Sequence, residues 1–166
     1  MVATQPSPGT VEVSWTDASG SWQSGYLHRT TGRVGGAVLA GHHDGVAVVL
    51  LGDSPNGSVP VLDVAVSTDA AHSWQGASWL PAGLRDLSTL AVSDEGTAWL
   101  TTGSHGTIRV DAAGDVFAVG QSPRDHSAFQ VSHRVCLVAE TGRADQLRCS
   151  ADDGATWTVQ SLPGFR

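Results

Sequence analysis

Short apolar, β-branched segments alternate along this chain with clusters of Gly, Asp, Ser and Asn. From Leu87 to Gly120 the segments LSTLAVS, TAWLTTG, GTIRVD and GDVFAVG follow one another. A second group, SAFQVS, VCLVAE, DQLRCS and TWTVQS, runs from Ser127 to Ser161. An earlier group holds GGAVLAG, GVAVVLLG and VLDVAVS, with a weaker fourth segment after Trp74. Segments of this length bounded by turn formers read as β-strands. Nowhere do apolar residues recur at helical spacing. Before these groups stand TVEVSW and WQSGYLH, so the pattern predicts three four-stranded units preceded by half a unit, about fourteen strands.

The units repeat in detail. An Asp stands five residues before a Trp in WTDASGSW (Asp17, Trp22), STDAAHSW (Asp69, Trp74) and SADDGATW (Asp152, Trp157). A fourth copy, VDAAGDVF, keeps Asp111 and has Val116 at the Trp position. The last three Asp residues are separated by 42 and 41 positions. An Arg ladder runs in step, with Arg33, Arg85 and Arg124 each opening a unit, and Gly52, Gly103 and Gly142 follow 18 or 19 residues later. A period near 41 with four strands matches one blade of a propeller, about 40 to 45 residues. The expected fold is an all-β β-propeller of four-stranded antiparallel blades. It has an N-terminal tail at 1–9, a half blade at 10–32 and blades at 33–84, 85–123 and 124–162 within a propeller segment 10–166.

SADDGATW resembles the Asp box, S-x-D-x-G-x-T-W, of the BNR repeats of sialidases and related propellers, matching all five defined positions from Ser150 to Trp157 and including Gly154. STDAAHSW keeps Ser67, Asp69, Ser73 and Trp74, with Ala71 at the Gly position; WTDASGSW keeps Asp17 and Trp22. The resemblance implies a box at each turn between strands three and four, on the face away from the ligand. There the Asp accepts hydrogen bonds from the N–H groups that follow it and Gly takes the positive φ. The Trp packs between neighbouring sheets. Asp17, Trp22, Asp69, Trp74, Asp111, Asp152, Gly154 and Trp157 are then structural.

On the opposite face the resemblance gathers the Arg ladder with the loops GDSPNGSVP, TTGSHGT and ETGRAD. Arg33, Arg85 and Arg124 would converge near the axis, with His105 and His126 beside them. Such a cluster suits a carboxylate or phosphate and resembles the Arg triad of sialidases. The bland alternative is a set of ion pairs or backbone braces using the adjoining Asp86 and Asp125. Sialidase chemistry also needs a Tyr nucleophile with acidic partners. This chain has one Tyr, Tyr26, expected on the outermost strand of the half blade, and no Arg-Ile-Pro motif.

Composition narrows the partners. With 166 residues, 40% hydrophobic and 15% charged, the chain can bury a core. A net charge of −7, with every cation an Arg, argues against nucleic acid or an anionic membrane. The longest aliphatic run, Val46 to Leu51, is far shorter than a membrane span. After Met1 comes VATQPSP, without a basic n-region or apolar core, so the chain reads as cytoplasmic or as a segment whose natural N-terminus has been removed.

His42, His43 and Asp44 raise a metal reading, but adjacent strand residues point to opposite faces and no third ligand follows at useful spacing, so a solvated turn is expected and no metal. Asn56-Gly57-Ser58 fits a glycosylation acceptor and also an Asn-Gly turn. Cys136 and Cys149 flank a hairpin centred between Gly142 and Arg143, directly opposed across the strands, where they either bridge or remain two buried thiols. A bridge favours an oxidising compartment, in line with the mostly secreted habit of Asp-box proteins.

The expected function is a non-catalytic, secreted or periplasmic binding or scaffold propeller recognising a glycan, peptide or protein on its loop face, without cofactor. The alternative is a segment of a sialidase-type glycoside hydrolase. An arc of three and a half blades cannot close, so the expectation is either part of a larger propeller or a homo-oligomer that completes a ring.

Overall fold

The computed structural model describes residues 2–7, 10–16, 19–28, 33–54, 56–119, 125–131, 134–140 and 145–161. Among them lie fifteen strands and no helix. The first sheet holds β1 (Val2–Ser7), β2 (Thr10–Thr16) and β3 (Trp22–His28). The second holds β4 (Val34–His42), β5 (Gly45–Gly52), β6 (Val61–Ser67) and β7 (Gln75–Gly76). The third holds β8 (Leu87–Val92), β9 (Ala98–Thr102), β10 (Gly106–Val110) and β11 (Val116–Ala118). The fourth holds β12 (Asp125–Val131), β13 (Arg134–Glu140), β14 (Asp145–Ser150) and β15 (Thr158–Ser161). Every sheet is an antiparallel meander, and the leading strands β4, β8 and β12 touch in series. The arrangement is propeller-like.

The first sheet departs from the expected half blade. Val2–Ser7, read from the sequence as part of a tail, pairs with β2 from Val2↔Ser14 to Ser7↔Thr10. VATQPS lacks apolar alternation and carries Pro6, which falls in the register irregularity between Thr4 and Ser7. A proline without an N–H is tolerated on such an edge strand, and this is why the pattern does not reveal it.

The unbroken apolar run of β5 follows from burial on both faces. Val46, Val48 and Leu50 face Val11, Val13 and Trp15 of the first sheet. Ala47 and Val49 face Leu100, Ile108 and Val110 of the third. A strand sandwiched in this way has no solvent side and loses the polar half of its alternation. β9 is the same: Ala98 and Leu100 join one cluster while Trp99 joins Ala128, Val135, Leu137 and Trp157 on the other side. Full burial of each large side chain contributes roughly 1.5–3 kcal/mol.

The turns after β6 and β14 are built identically. Ser67 Oγ donates to Asp69 Oδ1 (2.8 Å) and accepts from the Ala71 N–H (2.9 Å). Asp69 accepts from the Ser73 N–H (2.8 Å) and hydroxyl (2.6 Å). In the second copy Ser150 Oγ donates to Asp152 (2.7 Å) and accepts from the Gly154 N–H (2.8 Å). The Thr156 N–H and hydroxyl then donate to Asp152 at 2.9 and 2.6 Å. Ala71 and Gly154 occupy the same positive-φ place, at +72° and +86°. The Ser73 hydroxyl, with its N–H, holds the Asp69 carboxyl down at about 2; the Thr156 hydroxyl and N–H do the same to Asp152, also about 2. After β10, Asp111 accepts from the N–H groups of Ala113 and Asp115, both at 3.0 Å, without the hydroxyl arms. Asp17 lies outside the described residues.

Each turn packs on the preceding sheet. The Trp157 ring meets Trp99, the third sheet's Gly114 carbonyl accepts from the Ser78 N–H, and His72 stacks edge-on with Trp15. The expectation that Trp22 packs between sheets fails for this reason: its sheet has no predecessor among the described residues, and the side chain is 65% exposed.

Cys136 and Cys149 form a disulfide in register across β13 and β14. Cys136 alternates with Val135 and Leu137, which face the third sheet, so the bridge lies on the other face of the fourth sheet.

Candidate ligand-binding face

The turns built on Asp69, Asp111 and Asp152 cap one end of the strands. At the other end the β5–β6 connection, the segment before β8 and the β9–β10 turn are tied together. Asp86 is the knot. Its carboxylate accepts from the Ser58 hydroxyl (3.0 and 3.1 Å) and the Val59 N–H (2.9 Å). Its own N–H donates to the Val59 carbonyl and its carbonyl accepts from the Gly103 N–H, both at 2.9 Å. Asp86 sits at φ +59°, a conformation that a short polar side chain tolerates better than most.

Arg85 is held by its backbone. Its N–H donates to Ser104 Oγ (3.1 Å), whose hydroxyl lies 3.3 Å from the Arg85 carbonyl, and it forms a β-bridge with Pro60. Among the described residues no ion pair engages its guanidinium, and the residue is exposed. A groove of about 420 Å³ runs between Asp53, Asn56 and Ser58 on one side and Gly83 and Arg85 on the other.

Arg33 is differently placed, with its Nε 3.0 Å from Asp53 Oδ2 and its side chain 84% exposed. Such an exposed pair contributes at most about 1 kcal/mol. His105 is exposed, its Nδ1 2.8 Å from Ser104 Oγ. Arg124 lies outside the described residues, as do the side chains of His126 and Tyr26. The structure therefore brings Arg33 and Arg85 to one rim through Asp53, and Ser104 links Arg85 to His105.

A regularity that sequence reading missed lies directly after the ladder. The register of each leading strand slips just past its Arg: between Val34 and Gly36, between Leu87 and Thr89, and between Asp125 and Ser127. Bulges of this kind re-aim neighbouring side chains and recur beside functional sites. Gly35 fits because a Cβ there would run into the Asp53 carboxylate. The loops holding Asp53, Ser58 and Ser104 were expected on this face, but the roles of these three residues were not singled out. Turn residues of this type suggest only a turn in a sequence, and their partners lie 19 to 28 residues away.

No family model matches the chain, and no curated protein does. A solved structure described as YCF48 bound to D1 peptide aligns with a TM-score of 0.31 and 14% identity, covering 86% of this chain and 72% of that one. Among the described residues no helix is long and apolar enough to cross a membrane.

At the opposite end of the strands, the expectation that His42 and His43 diverge does not hold. β4 ends at His42, and His43 adopts φ +50° in the turn, so the rings come together with centroids 4.5 Å apart. Asp94, from the β8–β9 turn, touches His42 Nδ1. A third side chain with a donor oxygen therefore reaches the two imidazoles from the neighbouring sheet.

Proposed function

We propose that this chain is a non-catalytic binding module of the BNR/Asp-box propeller type. Its groove between Asp53 and Arg85 takes an anionic group of a glycan, peptide or protein ligand. The observation carrying this reading is the Arg85 guanidinium, exposed and without an ion-pair partner among the described residues, on the rim of a groove that also offers the Asn56 amide and the Ser58 hydroxyl. A guanidinium recognises carboxylate through two parallel N–H donors, and side-chain amides and hydroxyls supply the neutral hydrogen bonds that orient a ligand. Tight bracing of the rim by Asp86 lowers the ordering cost of binding. The Cys136–Cys149 disulfide supports a place outside the reducing cytoplasm.

Screening the whole chain on arrays of acidic glycans and acidic peptides tests the reading. Saturable binding without turnover, weakened at least about tenfold by Arg85→Ala, is expected. Turnover of a fluorogenic sialoside that disappears in Arg85→Ala would overturn the non-catalytic assignment, and ligand binding indifferent to Arg85 would overturn the site.

A further inference from the structure

The geometry points to a second site: we propose that His42, His43 and Asp94 bind a divalent transition-metal ion of the zinc class between the second and third sheets. One ligand atom from each of the three lies within 4.8 Å of the others. Two imidazoles and a carboxylate form a donor set that holds zinc with a fourth position left open, and imidazole likewise suits copper and nickel.

The three side chains converge for structural reasons. Two residues in succession on a strand face opposite ways, but the strand ends between these two. The left-handed conformation of His43 turns its ring back beside that of His42. The β4–β5 and β8–β9 turns are also pressed together, since a Cβ on Gly45 would collide with the Ser93 carbonyl. Each turn is fixed from its own side. The Asp44 carbonyl accepts from the Ala70 N–H at 2.9 Å, and Ser93 and Thr97 close the turn that carries Asp94 through the Ser93 N–H at 2.9 Å. The donors are held from two sheets by backbone contacts rather than by one flexible loop, which is the preorganisation a metal site requires.

The position suggests an exchangeable ligand. His42 also lines a cleft of about 340 Å³ whose walls are the leading strands, with Thr89, Leu90 and Ala91 of β8 and Ala128, Phe129 and Gln130 of β12. His42 and Asp94 are half-buried and His43 exposed, so an ion held here remains reachable from solvent.

Equilibrium dialysis of the whole chain against submillimolar Zn2+ near neutral pH, with Co2+ absorption as an independent readout, tests the site. One ion per chain is expected, with a visible Co2+ spectrum of low-coordinate nitrogen and oxygen ligation. At a hundredfold excess over Kd the melting temperature rises by roughly 5–10 °C, because the metal binds the folded chain and bridges two sheets. His43→Gly removes a ligand at a position whose backbone favours glycine, so it folds at least as well as the wild type; it and Asp94→Ala each weaken binding at least about tenfold. Absence of stoichiometric binding, or one ion retained with unchanged affinity in both variants, would overturn the proposal.

Discussion

The rings of Trp99 and Trp157 stand at 88° to one another with centroids 5.5 Å apart, joining the third and fourth sheets. Trp157 is oriented for this contact by its own turn, since its Nε1–H donates to the Gly154 carbonyl at 3.1 Å. Gly154 is fitted equally closely, because a Cβ on it would enter the Trp99 ring and its φ is +86°. Trp157→Ala is expected to cost about 2–4 kcal/mol and Gly154→Ala about 2–3 kcal/mol. Trp22→Ala, at the equivalent but exposed place, costs less than about 0.5 kcal/mol. Urea denaturation of the three variants checks the ranking.

Acid sensitivity follows from the turn carboxylates. Asp69 and Asp152 are held at about 2 against an ordinary value of 3.8. A depressed folded-state value means that each contributes stability that is complete above the unfolded value and lost as pH falls through the folded one. The urea midpoint of the wild type is therefore expected to drop between about pH 4 and pH 2. The Asp69→Asn, Asp152→Asn double variant begins lower and changes less across that window.

The disulfide predicts a different dependence. Cys136 and Cys149 are 13 residues apart, and closing a loop of that size restricts the unfolded chain by about 3 kcal/mol. Paired Cys136→Ser and Cys149→Ser replacements, or a reductant, are expected to lower the unfolding free energy by about that amount while leaving the far-ultraviolet dichroism of the folded sheets unchanged.

How much of this was legible beforehand depended on whether the signal was local. Strand groups and the Ser67–Trp74 and Ser150–Trp157 turns repeat in short, contiguous patterns, and the Cys136–Cys149 register follows from one hairpin. β1 was illegible because an edge strand carrying Pro6 needs neither alternation nor every N–H. Trp99 went unremarked because its importance comes from Trp157 in another sheet; Asp86 was legible as a brace beside the Arg ladder, but not its partners Ser58 and Gly103 in other turns. His42 and His43 misled for the opposite reason. Side chains alternate faces inside a strand but not across its end, where the positive φ of His43 reverses the outcome.

The proposed binding at one end of the strands is expected to be separable from the turn architecture at the other, and one comparison tests that separation most directly. An acidic ligand identified on the arrays would be titrated calorimetrically into the wild type, Arg85→Glu and Thr156→Val. Arg85→Glu is expected to abolish measurable binding while keeping the wild-type urea midpoint. Thr156→Val, which removes the hydroxyl bonded to Asp152, lowers the midpoint and leaves the dissociation constant unchanged. Undiminished binding by folded Arg85→Glu would contradict it.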